Sequence, residues 1–240
     1  MSAISTLRRL LDAAAARGER RLFWWRDDDA TALSAALDRL FNDAAGAPLA
    51  LAVIPDGATS ELLELCKDRD VAVLQHGVSH TNHQGAGKSA ELGDARPPEE
   101  VITGCVAARA RLAVSPAFLP VMVPPWNRAA RGVLDALPAA GYHGVSLFGG
   151  PTVAGPMRRV DVHIDPIAWH AGREFQPQAT LSAMIERAFD QHGPIGLMTH
   201  HLVHTGPIRA FVAAFAETVR THPAAGWTDA GTLFAPPPPS

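Results

Sequence analysis

Apolar positions along the chain fall into two alternating rhythms. Short runs rich in β-formers, at residues 22–25, 49–54, 71–74, 118–123, 143–147 and 195–198, have the length and composition of strands. Between them, residues 33–45, 60–68, 98–112, 129–139, 181–191 and 208–221 repeat their apolar positions at helical spacing. Pro97 and Pro98 open the third of these helices, where a proline loses no hydrogen bond, and Ser60 and Thr180 are expected to cap two others. Near the N-terminus Leu7, Leu10 and Leu11 share a face, while Arg8, Arg9, Asp12 and Arg17 interrupt any continuous apolar stretch. That pattern predicts an amphipathic helix rather than a secretory signal. Strands alternating with helices imply parallel pairing through right-handed crossovers, and six or seven such units favour a closed or nearly closed barrel over an open sheet. No repeat or linker divides residues 1–240, so a single α/β domain is expected. Residues 149–156 read as a glycine- and proline-rich loop, and residues 236–239, all proline, cannot enter a helix or strand interior.

Composition narrows the function classes. With 240 residues, 47% of them hydrophobic, the chain can bury one sizeable core. Its net charge of −3, from 21 basic and 24 acidic residues, lacks the basic stripe of a nucleic-acid binder. No apolar run reaches the roughly eighteen residues of a membrane span. Cys66 and Cys105 are not spaced as a redox pair or a metal clip, and buried free thiols in helices are expected. A cytoplasmic location is the expectation.

Chemistry concentrates where strands end. Six of the eleven histidines lie in two stretches, His76, His80 and His83, then His200, His201 and His204, each directly after an expected strand. Asp27, Asp28 and Asp29 follow the first strand in the same way. In parallel α/β folds such strand ends build the active site. His76 and His80 stand four apart, so one helical turn would stack their imidazoles about 6 Å apart on one side, where both can reach one metal. A carboxylate from another strand end would complete a facial set with positions open for water and substrate. Three adjacent carboxylates after an apolar strand repel one another unless a cation compensates, and Arg26 or a metal could do so.

These residues resemble the polysaccharide deacetylases, carbohydrate esterases that remove acetyl groups from sugars. That family's first motif, a strand ending in an Asp-Asp pair, looks like Asp28-Asp29; the resemblance makes Asp28 the general base and Asp29 a metal ligand, with Asp27 and Asp28 as the alternative register. The second motif, His-x-x-x-His, is matched by His76 and His80, with His83 as an extra residue near substrate. The third, an arginine followed by proline and an aromatic, resembles residues 123–128, but Val123 stands where the arginine would be. Arg128 or Arg26 would then orient the base, and Trp126, Asn127 and Arg128 would contact substrate. The fourth motif resembles residues 161–169, with Asp165 and Trp169 as the pair and Trp169 walling an acetyl pocket. The fifth, a hydrophobic strand ending in histidine, resembles residues 196–200. It makes His200 the general acid, with His201 as the competitor for that role or a substrate contact.

The motifs run in family order from residue 22 to about 204. The resemblance implies a distorted (β/α) barrel with about seven parallel strands and a single divalent metal, Zn2+ foremost. The implied reaction is removal of an acetyl group from an amino sugar or small glycoconjugate, with no nucleic-acid or membrane partner. Two alternatives stay open: a non-catalytic carbohydrate-binding relative, and a metal-dependent hydrolase of another C–N or ester bond. A two-metal phosphoesterase would need further carboxylates, for which Glu91 and Asp94 are available.

Overall fold

The computed structural model describes residues 2–153, 155 and 157–235; the proline tail at 236–239 lies outside them. In chain order the elements are α1 (Ala3–Ala16), β1 (Arg21–Ala30), α2 (Ala35–Ala44), β2 (Leu49–Val53), α3 (Ser60–Asp68), β3 (Ala72–His76), α4 (Pro98–Leu112), β4 (Phe118–Val123) and α5 (Arg131–Ala136). There follow β5 (Gly144–Val145), β6 (Arg158–Arg159), β7 (Ile167–Ala168), β8 (Glu174–Phe175), α6 (Gln178–Phe189), β9 (Ile195–Thr199), α7 (Gly206–Thr221), β10 (Ala225–Trp227) and α8 (Ala230–Phe234).

The main sheet runs β10-β1-β2-β3-β4-β5-β6, with β9 also paired to β1, and every pairing in it is parallel. Residues beyond β6 complete the ring: Val160 and Val162 donate to the carbonyls of Val145 and Leu147, while His163 and Ile164 donate to Gly196 in β9. A parallel bridge joins Ile164 to Leu197. β1 to β5, the 158–164 segment and β9 thus make seven staves of a distorted barrel, with β10 added at the start of β1. The expectation of a distorted (β/α) barrel with about seven parallel strands holds.

Side chains divide by the two-residue period of the strands. Phe23, Trp25, Leu49, Leu51, Val53 and Val73 join the helix-side core with α1, α2, α3, α6 and α7. Trp24, Ala50, Ala52, Leu74, Val121, Val123 and Met198 fill the barrel interior. α1 is the expected amphipathic helix, burying Leu7, Leu11 and Ala14. Cys66 in α3 and Cys105 in α4 are buried free thiols. Among the described residues no helix is long and apolar enough to cross a membrane.

Several local expectations change. Thr59, not Ser60, caps α3, accepting from the Leu62 N–H. α6 starts at Gln178 behind Pro177, which puts Thr180 inside its first turn. α5 is only six residues long, against an expected helix over 129–139. The largest difference is β1, which continues through Arg26, Asp27, Asp28 and Asp29 rather than ending at Trp25. Charged residues can occupy a buried strand when every charge finds a partner, and these do.

Candidate metal centre and active site

Alternation along β1 sorts the three aspartates. Asp27 points with Phe23 and Trp25 toward the helices, where its Oδ2 accepts from Thr199 Oγ1 (2.6 Å) and the His201 N–H (3.0 Å). Its Oδ1 lies 2.5 Å from His201 Nδ1. Asp28 points with Trp24 and Arg26 into the barrel. Arg26 Nε and Nη2 hold it in a fork, 2.8 and 2.9 Å from its two oxygens. Asp29 escapes the alternation because one extra residue is inserted between the Asp27–Leu51 and Ala30–Val53 pairs, and Asp29 itself takes φ +71°. Such a bulge re-aims a side chain, and here it brings Asp29 to the same rim as Asp28.

His76 closes β3 and is buried; His80 is half-buried in the loop beyond. The two rings do not sit on a helix as the spacing suggests. Gly77 (φ +59°) and His80 (φ +57°) fold the loop back, leaving ring centroids 5.1 Å apart. The buried Glu91 carboxylate holds that loop, accepting from the Val78 and Ser79 N–H groups at 3.0 and 2.8 Å and from Ser79 Oγ. Gly77 must lack a side chain, since a Cβ there would sit 1.9 Å from Glu91 Oε2. Positive φ at Asp29, His80, Trp126 and Asn127 is backbone strain gathered around one rim, a pattern typical of functional sites.

Asp29, His76 and His80 each bring a donor atom within 4.8 Å of the other two. Asp29 Oδ1 is 3.1 Å from His76 Nε2 and 3.4 Å from His80 Nε2. Donors bound at about 2.1 Å to one ion lie about 3.0–3.4 Å apart, so the set fits a single divalent cation. His76 Nδ1 donates to the Val123 carbonyl (2.9 Å), which turns the Nε2 lone pair toward the carboxylate. Two lone pairs facing each other require a proton or a cation between them.

Electrostatics follow the geometry. Burial would raise the Asp28 pKa, but the Arg26 charge, then His76 and His200, outweigh it and hold the carboxyl below its usual range. Burial is likewise outweighed at Asp29 by the hydrogen bond and charge of His76, leaving it well below the carboxylate range. His76 is raised: burial opposes its charge, but Asp29 and Asp28 favour it more. His80 is lowered by burial and by His76 beside it.

His200 follows β9, its Nε2 4.0 Å from Asp28 Oδ2, its Nδ1 buried and without a hydrogen-bond partner among the described residues. Trp169, 38% exposed, meets the His200 ring edge-on at 4.6 Å and donates from Nε1 to Asp165 (2.8 Å). Burial raises the Asp165 pKa. Trp126 lies against His80, ring centroids 4.3 Å apart. In its turn the Asn127 and Arg128 N–H groups donate to the Pro124 and Pro125 carbonyls, and among the described residues the N–H of Trp126 has no acceptor.

Four expected site residues stand elsewhere. Asn127 Oδ1 accepts from Arg26 Nη2 (2.7 Å), so it braces the arginine. Arg128 Nη1 donates to the Ser89 carbonyl and makes no bond to Asp28, and Arg26 is the guanidinium that orients Asp28. His201, 2% exposed, is enclosed on the helix side with Asp27. His83 is exposed, its backbone N–H donating to Ala90. Sequence reasoning missed Glu91 as the clamp of the histidine loop, and no spacing signals it. Asp94 is exposed, and among the described residues no second metal-type cluster accompanies the first.

No family model and no curated protein sequence matches this chain. Solved structures do. A family 4 acetyl xylan esterase from Clostridium thermocellum, in complex with a cobalt ion, superposes with a TM-score of 0.57 at 10% identity, over 89% of this chain and 90% of that one. A family 4 carbohydrate esterase from Streptomyces lividans, in complex with acetate, gives 0.54 at 12% identity over 83% and 88%. A mutant of a family 4 pseudoenzyme with restored activity gives 0.56 at 12% identity over 90% and 68%. At these identities the likeness is one of fold: the chain has the fold of the family 4 carbohydrate esterases and polysaccharide deacetylases.

Proposed function

We propose that this chain is a metal-dependent deacetylase acting on an acetylated amino sugar or a related small glycoconjugate. One observation carries the reading: a three-donor set, Asp29, His76 and His80, shares a rim with an arginine-held carboxylate and a histidine 4.0 Å from it. A divalent ion on those donors, zinc foremost, would polarise the acetyl carbonyl and acidify a bound water.

The chain's own groups supply the rest. Asp28, held ionised by Arg26, accepts the proton of the attacking water at the oxygen that faces His200. His200 Nε2 delivers a proton to the departing nitrogen or oxygen. The leftover N–H of Trp126 is the backbone donor available to the developing oxyanion. The exposed face of Trp169, beside His200, offers an apolar wall to the acetyl methyl. Arg26 takes over from β1 the orienting role that Val123 cannot perform from the end of β4.

Two observations favour a second reading, a non-catalytic carbohydrate-binding relative: Val123 in the third motif, and a pseudoenzyme among the proteins sharing the fold. Acetate release from small acetylated amino sugars, with and without chelator, separates the two. Deacetylase function predicts release that chelator abolishes and zinc or cobalt restores. Asp28→Asn should keep the metal and lose turnover; normal turnover by that variant would remove Asp28 as the base.

A further inference from the structure

A cavity of about 490 Å³ lies between two segments that continue from the site, and none of Asp28, Asp29, His76, His80 or His200 lines it. One wall comes from the chain after the histidine loop, the other from the chain after Trp126. Leu92 and Ala129 bridge the walls, and the Ala130 N–H donates to the Leu92 carbonyl (2.7 Å). Both walls are tied to the proposed centre. Glu91, whose carboxylate holds the loop of His80, gives its carbonyl to Arg96 Nη2 (3.0 Å). Arg128 is two residues from Trp126, hence within about 7 Å of it along the backbone.

The charged part of the lining is mostly basic. Lys88, Arg96, Arg128 and Arg131 face Asp94 alone among the acidic residues that line it. Two of the four cations are engaged: Arg131 forks onto Asp135 at 2.8 Å, and Arg96 lies 3.8 Å from Glu100. Lys88 makes no ion pair among the described residues. Arg128 spends only Nη1, on the Ser89 carbonyl, so its Nε and Nη2 remain available. Cations without an ion pair among the described residues, in a cavity large enough for a sugar ring, select a ligand that carries negative charge.

We propose that this cavity is an anion subsite, which binds a carboxylate or phosphate carried on the sugar next to the one processed at the metal rim. The substrate is then an acidic glycoconjugate, with Arg128 and Lys88 as its principal contacts. Assigning the anion to a substrate rests on the deacetylase reading; the cavity's preference for anions does not.

Calorimetric titration in chelator, on the Asp29→Ala chain, reads the subsite without anions binding a metal. Glucose 6-phosphate, glucuronate and glucose are the probes. The proposal expects at least one charged sugar to bind tenfold or more tighter than glucose, weakening as salt rises. The phosphate and uronate arms tell which anion is taken. Lys88→Gln should weaken that binding several-fold with an unchanged melting temperature, since Lys88 has no ion pair to lose among the described residues; Arg128→Gln should weaken it as much while also losing its bond to the Ser89 carbonyl. Equal affinity for charged and neutral sugars, or full affinity in the Lys88→Gln/Arg128→Gln double variant, would overturn the subsite. If the unmodified chain releases no acetate from any sugar while the anion preference persists, only the deacetylase reading falls.

Discussion

Replacing Arg26 by methionine tests the barrel interior directly. The guanidinium is fully enclosed and makes two bonds to Asp28, one to Ser146 Oγ (2.7 Å) and one to Asn127 Oδ1 (2.7 Å). Methionine fills much of the same volume but leaves Asp28, 1% exposed, with no partner among the described residues nearer than His200 at 4.0 Å. Removing one member of a buried pair costs about 3–5 kcal/mol, because the remaining charge has no water to turn to. For a chain of this size that is a fall in Tm of about 10 °C. Guanidinium titration of Arg26→Met, Asp28→Asn and the double variant gives the coupling. The double variant should be more stable than the sum of the single losses by about 2 kcal/mol or more, since an asparagine in place of Asp28 carries no charge to strand. A loss under about 1 kcal/mol for Arg26→Met, the range of exposed pairs, would refute the buried-pair account, as would strict additivity.

Other expectations follow from the same contacts. Glu91→Gln removes the carboxylate that organises the loop of His80 without touching a donor atom, so zinc affinity should drop about 10–100-fold in a competition assay. Gly77→Ala should do at least as much, because the new Cβ meets Glu91 and Pro125 at positive φ. Asp27→Asn should lower stability yet keep zinc affinity within about threefold, since its carboxylate faces the helices. The Cys66 and Cys105 thiols are pushed up to about 12 by burial, so in the native state neither should react with a thiol reagent at pH 8. Unfolded thiols ionise near 8.5, so the unfolded chain binds fewer protons between about pH 8.5 and 12 and stability falls as pH rises there. The loss is about 2 kcal/mol per thiol at pH 10, and Cys66→Ala should flatten the alkaline slope of Tm.

The alternation of strands and helices is legible in the sequence because both periods are set by burial, and the ring of parallel staves follows from it. Residues 158–164 do alternate, with Val160, Val162 and Ile164 buried, but the apolar-run reading passes over them because Arg158, Arg159, Asp161 and His163 break any continuous run. The pattern ends β1 at Trp25 because charge reads as solvent exposure, whereas inside the fold Arg26 pairs with Asp28, and Thr199 and His201 meet Asp27 on the other face. The Asp-His spacing brings out Asp29, His76 and His80. The chain reaches that meeting point by a bulge and a folded-back loop, not by a helical turn. The Asp27–Asp29 ambiguity is one of strand facing: a one-residue change of register exchanges barrel interior for helix layer, and only the paired strand shows which applies. The roles of Arg26 and Glu91 depend on contacts between distant segments that no local pattern encodes.

Metal stoichiometry bears most directly on the central claim. Equilibrium dialysis of the purified chain against zinc, read by elemental analysis, should give one tightly held ion per chain. Asp29→Ala and His76→Ala should each reduce it toward zero, while Asp28→Asn retains it. No bound ion in the unmodified chain, or an undiminished one after Asp29 or His76 is removed, would contradict a centre built on those side chains.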